Sequence, residues 1–170
     1  NTLFTYTESY GEVEPSLVSD YEISEDGLVY TMHLQDGVKF HSGNEMTSED
    51  VKYSLERIKD SGARASQMEK ISTVEASDEN TVVITLSSQY APFLTYLANP
   101  LNAIVEKAVT EENGGNLANV DAGSGPFKLV KWNEGSSVDM EAFADYWEAD
   151  KPKVDSLQLK TITDATARAT

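Results

Sequence analysis

Period-two alternation dominates the first third of the chain. "LFTYT" (3–7) alternates apolar and polar positions, and "YEI" (21–23) and "LVYTMHL" (28–34) repeat the pattern on either side of Glu25-Asp26-Gly27. Asp-Gly between two alternating runs predicts a hairpin, because glycine accepts the positive φ that the turn requires. Asp36-Gly37 and "VKF" (38–40) follow, predicting a meander of three short strands. The period then changes. Met46-Thr47-Ser48-Glu49-Asp50-Val51 predicts a helix start, with Thr47 as cap, Asp50 as its capping-box partner and Met46 stapled against Val51. Val51, Leu55 and Ile58 share one face, Glu49 and Asp50 suit the positive end of the helix dipole, and Ser61-Gly62 is expected to close the helix.

Alternation returns in "ISTVEAS" (71–77) and "TVVITLS" (81–87), a second hairpin around Asp78-Glu79-Asn80. "APFLTYLA" (91–98) reads as a short helix ending at Asn99-Pro100, "NAIVEK" (102–107) as a strand, and 108–113 as a short helix. Residues 113–125 lose all periodicity and turn rich in Gly, Asn, Ala and Ser, which marks a boundary or a mobile connection. A third hairpin, "GPFKLVKW" (125–132) with "SVDMEAF" (137–143), turns at Asn133-Glu134-Gly135; "SLQLKTI" (156–162) is a further strand, and a helix is expected near Thr163. The predicted class is α+β: a mixed, mostly antiparallel sheet built from hairpins, with a few flanking helices.

Composition narrows the function. A net charge of −16 argues against nucleic acid, which needs clustered Lys and Arg. Cysteine is absent, so disulfides, thiolate metal sites and cysteine nucleophiles are excluded together. The longest apolar run, "TVVITL" (81–86), is too short to cross a bilayer as a helix. The chain opens on Asn1 and stops at "DATARAT" without a cap, so trimming is expected at both ends.

Reactive groups do not converge in the sequence. His33 and His41 are the only histidines and lack the helical i, i+4 spacing of a zinc motif. His33 shares a strand face with Val29 and Thr31, opposite Leu28, Tyr30, Met32 and Leu34, and is expected to be half-exposed. No pair stands out among the 29 acidic residues, and "AGSGP" (122–126) is neither a nucleophile elbow nor a phosphate loop. Neither a catalytic residue nor a metal or other cofactor is expected. Eight Tyr, five Phe and two Trp remain, as core anchors or as the lining of a cleft.

Three blocks, in order, carry a resemblance. "EPSLVSDYEISEDGLVYTMHLQDGVKFHSGNEMTSEDVKYSLERI" (14–58), "GSGPFKLVKW" (123–132) and "ADYWEADKPKVDSLQLKTITDATAR" (144–168) resemble the signature regions of the family 5 extracellular solute-binding proteins, the peptide-, dipeptide- and nickel-binding components of ABC importers. Pro15, Leu17, Tyr21, Ser24, Asp26, Gly27, Leu34, Gly37, Val38, Phe40, Gly43, Thr47, Asp50 and Val51 fit the first block; Val18, Gln35 and Ser42 depart from it.

The resemblance implies part of a periplasmic-binding-protein type II-like fold. Residues 1–19 and 124–170 would belong to a first lobe, residues 20–123 to an additional inserted domain, and a second lobe would lie outside this sequence. It also implies non-enzymatic capture of a peptide or similar small solute by domain closure. Permease subunits would be the partners, the parent a monomer, and the location extracytoplasmic, periplasmic or lipid-anchored. Asn1, Leu3, Phe4 and Tyr6, with Asn1 in the position of a family Glu, and Gly123, Ser124, Gly125 and Phe127 would border the cleft. His41 falls at a turn position that varies in such proteins, where it serves the fold. An extracellular carbohydrate-binding or adhesion module, using exposed aromatics as a sugar platform, is the alternative; a receptor should instead bury Tyr146 or Trp147.

Overall fold

A computed structural model describes residues 1–7, 11–60 and 65–164. Its elements run β1 (Phe4–Tyr6), β2 (Val13–Pro15), β3 (Val18–Ile23), β4 (Val29–Leu34), α1 (Ser48–Asp60), α2 (Ala65–Met68), β5 (Ile71–Asp78) and β6 (Thr81–Leu86). Then come α3 (Phe93–Leu97), a 3-10 turn (Pro100–Asn102), α4 (Lys107–Glu112), β7 (Phe127–Asn133), β8 (Ser137–Ala142) and β9 (Ser156–Lys160). The strands pair antiparallel into three sheets, ordered β1-β2, β3-β4-β6-β5 and β7-β8-β9.

The β3–β4 hairpin forms as its Asp-Gly turn predicts. Asp26 Oδ1 accepts from the Ser24 hydroxyl (2.6 Å) and the Leu28 N–H (3.1 Å), and Gly27 sits at φ +68°, where a side chain would strain the backbone. Alternation then sorts β4 as expected: Tyr30, Met32 and Leu34 are buried while His33 is exposed. β6 adds Val82, Ile84 and Leu86 to the same core, and α1 lays Val51, Leu55 and Ile58 against it. Each such side chain contributes about 1.5–3 kcal/mol by leaving water. Leu3, Phe4, Leu17 and Val18 join from the N-terminal segments.

α1 starts where predicted and Asp50 reaches back to the Thr47 N–H, but the Thr47 hydroxyl, expected to accept as the cap, donates to Asp50 instead. Asp50 Oδ2 accepts from both the backbone N–H and the hydroxyl of Thr47, each at 3.0 Å, so the carboxylate does the capping in both bonds. Its other oxygen, Oδ1, accepts from the Lys107 N–H at 2.9 Å. One carboxylate therefore satisfies donors at the starts of two helices, α1 and α4.

Three expectations change. Residues 38–40 are not a third meander strand, because both edges of β4 are taken, by β3 and β6; only an isolated Lys39–Glu45 bridge remains. Residues 102–107 are not a strand either. Pro100 starts a 3-10 turn capped by Asn99, whose side chain accepts from the Leu101 N–H (3.0 Å), and α4 begins at Lys107. Thr163 and Asp164 are not helical, and the remainder of that expected helix, like the Ser61-Gly62 helix end, lies outside the described residues.

Candidate functional site

Two groups of side chains flank one extended segment, residues 103–106. On one side the Ile104 N–H donates to the Asn1 carbonyl (2.9 Å); on the other the Glu106 N–H donates to the Ala122 carbonyl (2.9 Å). Asn1 and Ala122, the neighbour of the second stretch expected to border a cleft, thus lie against the same piece of backbone, although they are 121 positions apart in sequence.

At the first group, the Asn1 amide Nδ2 donates to the Tyr146 hydroxyl (3.2 Å), which donates onward to Glu148 Oε1 (2.8 Å); Glu148 also pairs with Lys151. A recess of ≈ 380 Å³ opens here, lined by Asn1, Thr5, Tyr6, Glu14, Trp147 and Lys151 among others. Burial and the bond to Glu148 push the Tyr146 phenol up to about 12. Burial opposes ionisation of Glu148, but the bonds from Lys151 and Tyr146 outweigh it and hold its carboxyl below the usual range. Asn1 Oδ1 and Trp147 Nε1 are buried without a hydrogen-bond partner. Trp147 is half-buried and packs against the core. Leu3 and Phe4 turn their side chains into that core, whereas Tyr6 is exposed and its hydroxyl donates to the Thr95 carbonyl at 3.4 Å.

The second group centres on His41, whose side chain is 7% exposed. Its N–H donates to the Gly123 carbonyl (2.8 Å), Nδ1 lies 2.6 Å from Asp121 Oδ1, and Nε2 lies 2.8 Å from the Gly125 carbonyl oxygen. The Phe143 ring meets the imidazole edge-on at 4.9 Å. Asp121 accepts further N–H bonds from Gly123 (3.2 Å) and Leu129 (2.7 Å). Burial works against its charge, but the His41 bond and these two N–H groups win, so its carboxyl stays below the ordinary carboxylate range. Ser124 is wholly buried with no partner for its hydroxyl, and Phe127 is half-buried at the start of β7.

Chemically, the arrangement holds backbone in place. Both ring nitrogens of His41 lie within hydrogen-bond distance of an oxygen, Asp121 Oδ1 and the Gly125 carbonyl. His33 is exposed, 3.2 Å from the Thr81 hydroxyl and 3.8 Å from Asp20. Among the described residues no three His, Cys, Asp or Glu side chains converge to hold a metal, and no helix is long and apolar enough to cross a membrane. Sequence reasoning missed the links from His41 to Asp121 and from Asn1 to Tyr146. Neither spacing carries a signal, since the partners lie 80 and 145 residues apart.

Residues 12–170 match the model of the bacterial extracellular solute-binding proteins, family 5 Middle. The glutathione-binding protein GsiB of Escherichia coli O1:K1 / APEC is 35% identical over 156 residues, 90% of this chain and 30% of the relative. Among solved structures, the PBP AgaA in complex with agropinic acid from A. tumefacien R10 superposes at a TM-score of 0.91 with 37% identity, over 99% of this chain and 34% of that one. The periplasmic binding protein DppA from Helicobacter pylori, in complex with the peptide STSA, gives a TM-score of 0.88 and 32% identity over 99% and 38% of the two chains. The fold is therefore α+β of the periplasmic-binding-protein type. The chain belongs to the family 5 bacterial extracellular solute-binding proteins, and it spans about a third of the length of the relatives it matches.

Proposed function

We propose that this chain is the N-terminal portion of a substrate-binding protein of an ABC importer, one that captures a peptide or similar small solute without chemistry. The observation that carries this is the family match over residues 12–170 together with close superposition on receptors solved with small solutes bound. Residues 1–19 and 124–170 form part of a first lobe and residues 20–123 an inserted domain. A second lobe closes over the ligand, excluding water and trapping it. Asn1, Leu3, Phe4 and Tyr6 line one border of the cleft and Gly123, Ser124, Gly125 and Phe127 the other. Leu3 and Phe4 contribute through their backbone, since their side chains are buried. Hydrogen bonds from main chain suit peptides, which present the same groups whatever their side chains. The parent works as a monomer outside the cytoplasmic membrane, free or lipid-anchored, and delivers its cargo to membrane permease subunits.

A sugar platform is not favoured: Trp147 packs against the core, and Trp132 sits on a strand instead of in a row of coplanar rings. Calorimetry on the full-length protein with glutathione and short peptides tests the proposal. Binding at about micromolar affinity or tighter is expected. The 170-residue chain alone should show negligible affinity, because half a clamp leaves the ligand exposed to water. Oligosaccharide binding by the isolated chain, with no response of the full-length protein to glutathione or peptides, would overturn it.

A further inference from the structure

We propose that His41 is a positioning residue for the cleft border: a doubly protonated latch that fixes residues 123–125 through Asp121 and the Gly125 carbonyl. The protonation follows from what faces the ring. The Gly125 carbonyl only accepts, and it sits 2.8 Å from Nε2. Asp121 already accepts N–H bonds at both of its oxygens, and Oδ1 sits 2.6 Å from Nδ1. A neutral imidazole has one N–H. It would leave one of these contacts as lone pair against lone pair, so both bonds exist only when both ring nitrogens carry protons.

The latch is local to the cleft border. The His41 N–H holds the Gly123 carbonyl, its ring holds the Gly125 carbonyl, and Ser124 is fully buried between them. Other charged groups facing the ring are few. Lys128 of β7 lies 6.0 Å from the centre of the Phe143 ring that packs on the imidazole, and 3.4 Å from Glu141 of β8. Glu106 reaches the turn after His41 through a 2.7 Å bond from the Asn44 amide. Among the described residues, Asp121 is thus the one charged group in direct contact with the ring. Loss of a ring proton goes to solvent and opens one of the two contacts. The 123–125 backbone is then held by a single ring bond and the His41 N–H.

The latch stands on geometry; its effect on capture rests on residues 123–127 bordering the cleft, as proposed above. Two measurements separate them. In the 170-residue chain, long-range proton–nitrogen spectra of His41 and the backbone signals of Gly123 and Gly125 are followed between about pH 5.5 and about pH 9, spanning the ordinary histidine range. Both ring nitrogens should be protonated at the acid end, and the two glycines should shift in step with the ring. His41→Gln, which can still donate but does not titrate, should abolish the step. A neutral ring at the acid end, or glycine signals that ignore its titration, would overturn the latch even if the variant fails to fold.

In the full-length protein, His41→Gln should weaken binding of glutathione or of a tripeptide by about tenfold and remove its pH dependence across the same range. Wild-type binding that is tight but matched in affinity and pH profile by the variant would overturn the positioning role. Failure of wild type to bind either probe would instead overturn the proposed receptor function, while the spectra would still decide the latch.

Discussion

Asp121 shows how one side chain can be recruited by partners far away in sequence. Its carboxylate gathers His41, Gly123 and Leu129, and they keep it ionised below the usual carboxylate range in spite of burial. A folded-state value depressed below the unfolded one means that the stabilisation is complete above the unfolded value, about pH 3.9. It is lost as pH falls through the lower, folded value. Urea unfolding at successively lower pH should therefore show an acid-side loss of stability that Asp121→Asn reduces, the lowered carboxyls of Asp26, Asp78 and Glu148 accounting for a further share. At neutral pH, Asp121→Ala should cost about 2 kcal/mol, because two backbone donors and a histidine lose their acceptor. An unchanged urea midpoint in the alanine variant would count against this account. None of this was legible beforehand. The sequence marks 113–125 as a boundary or mobile connection, but the residue that holds Gly123 and Gly125 is 80 positions from its acid, and side-chain pairing at that range leaves no local pattern.

Between elements, Asp50 has the widest reach. It satisfies the Thr47 N–H and hydroxyl at the head of α1 and the Lys107 N–H at the head of α4. Asp50→Ala should cost about 2 kcal/mol or more, the sum of two lost helix caps, and Asp50→Asn should recover part of it. Thermal unfolding distinguishes this from a single cap. Hydrogen exchange should also show faster opening at the starts of both helices, not only at α1. The first half of this role was readable from Thr47-Ser48-Glu49-Asp50, since capping is a matter of neighbours. The second half was not. The same divide explains the strands. β3, β4, β5 and β6 follow from alternation and turn residues, each hairpin being local. The β4–β6 pairing joins residues about 50 positions apart, and it is what excludes 38–40 from the sheet. Alternation says that a segment can be a strand; it does not say which edge will be vacant.

At the scale of the whole molecule, the two larger sheets differ in how they are dressed. β3-β4-β6-β5 buries one face under α1, α3 and the N-terminal strands. In β7-β8-β9 the register aligns Leu129, Trp132, Val138, Met140, Leu157 and Leu159 on one side, with Trp132 46% and Leu159 53% exposed. The other side carries Lys128, Lys131, Asp139, Glu141 and Gln158, laced by the Lys128–Glu141 ion pair and a 2.6 Å bond from Gln158 to Asp139. This asymmetry sets how the polypeptide behaves in a test tube. A greasy flank and, among the described residues, an unpaired edge at β9 invite sticking, while a charge of −16 repels neighbours. Sodium chloride weakens the repulsion and leaves the greasy flank untouched. The 170-residue chain should sediment as monomers in dilute buffer and drift toward larger species as salt rises, and Leu159→Lys should hold it monomeric throughout.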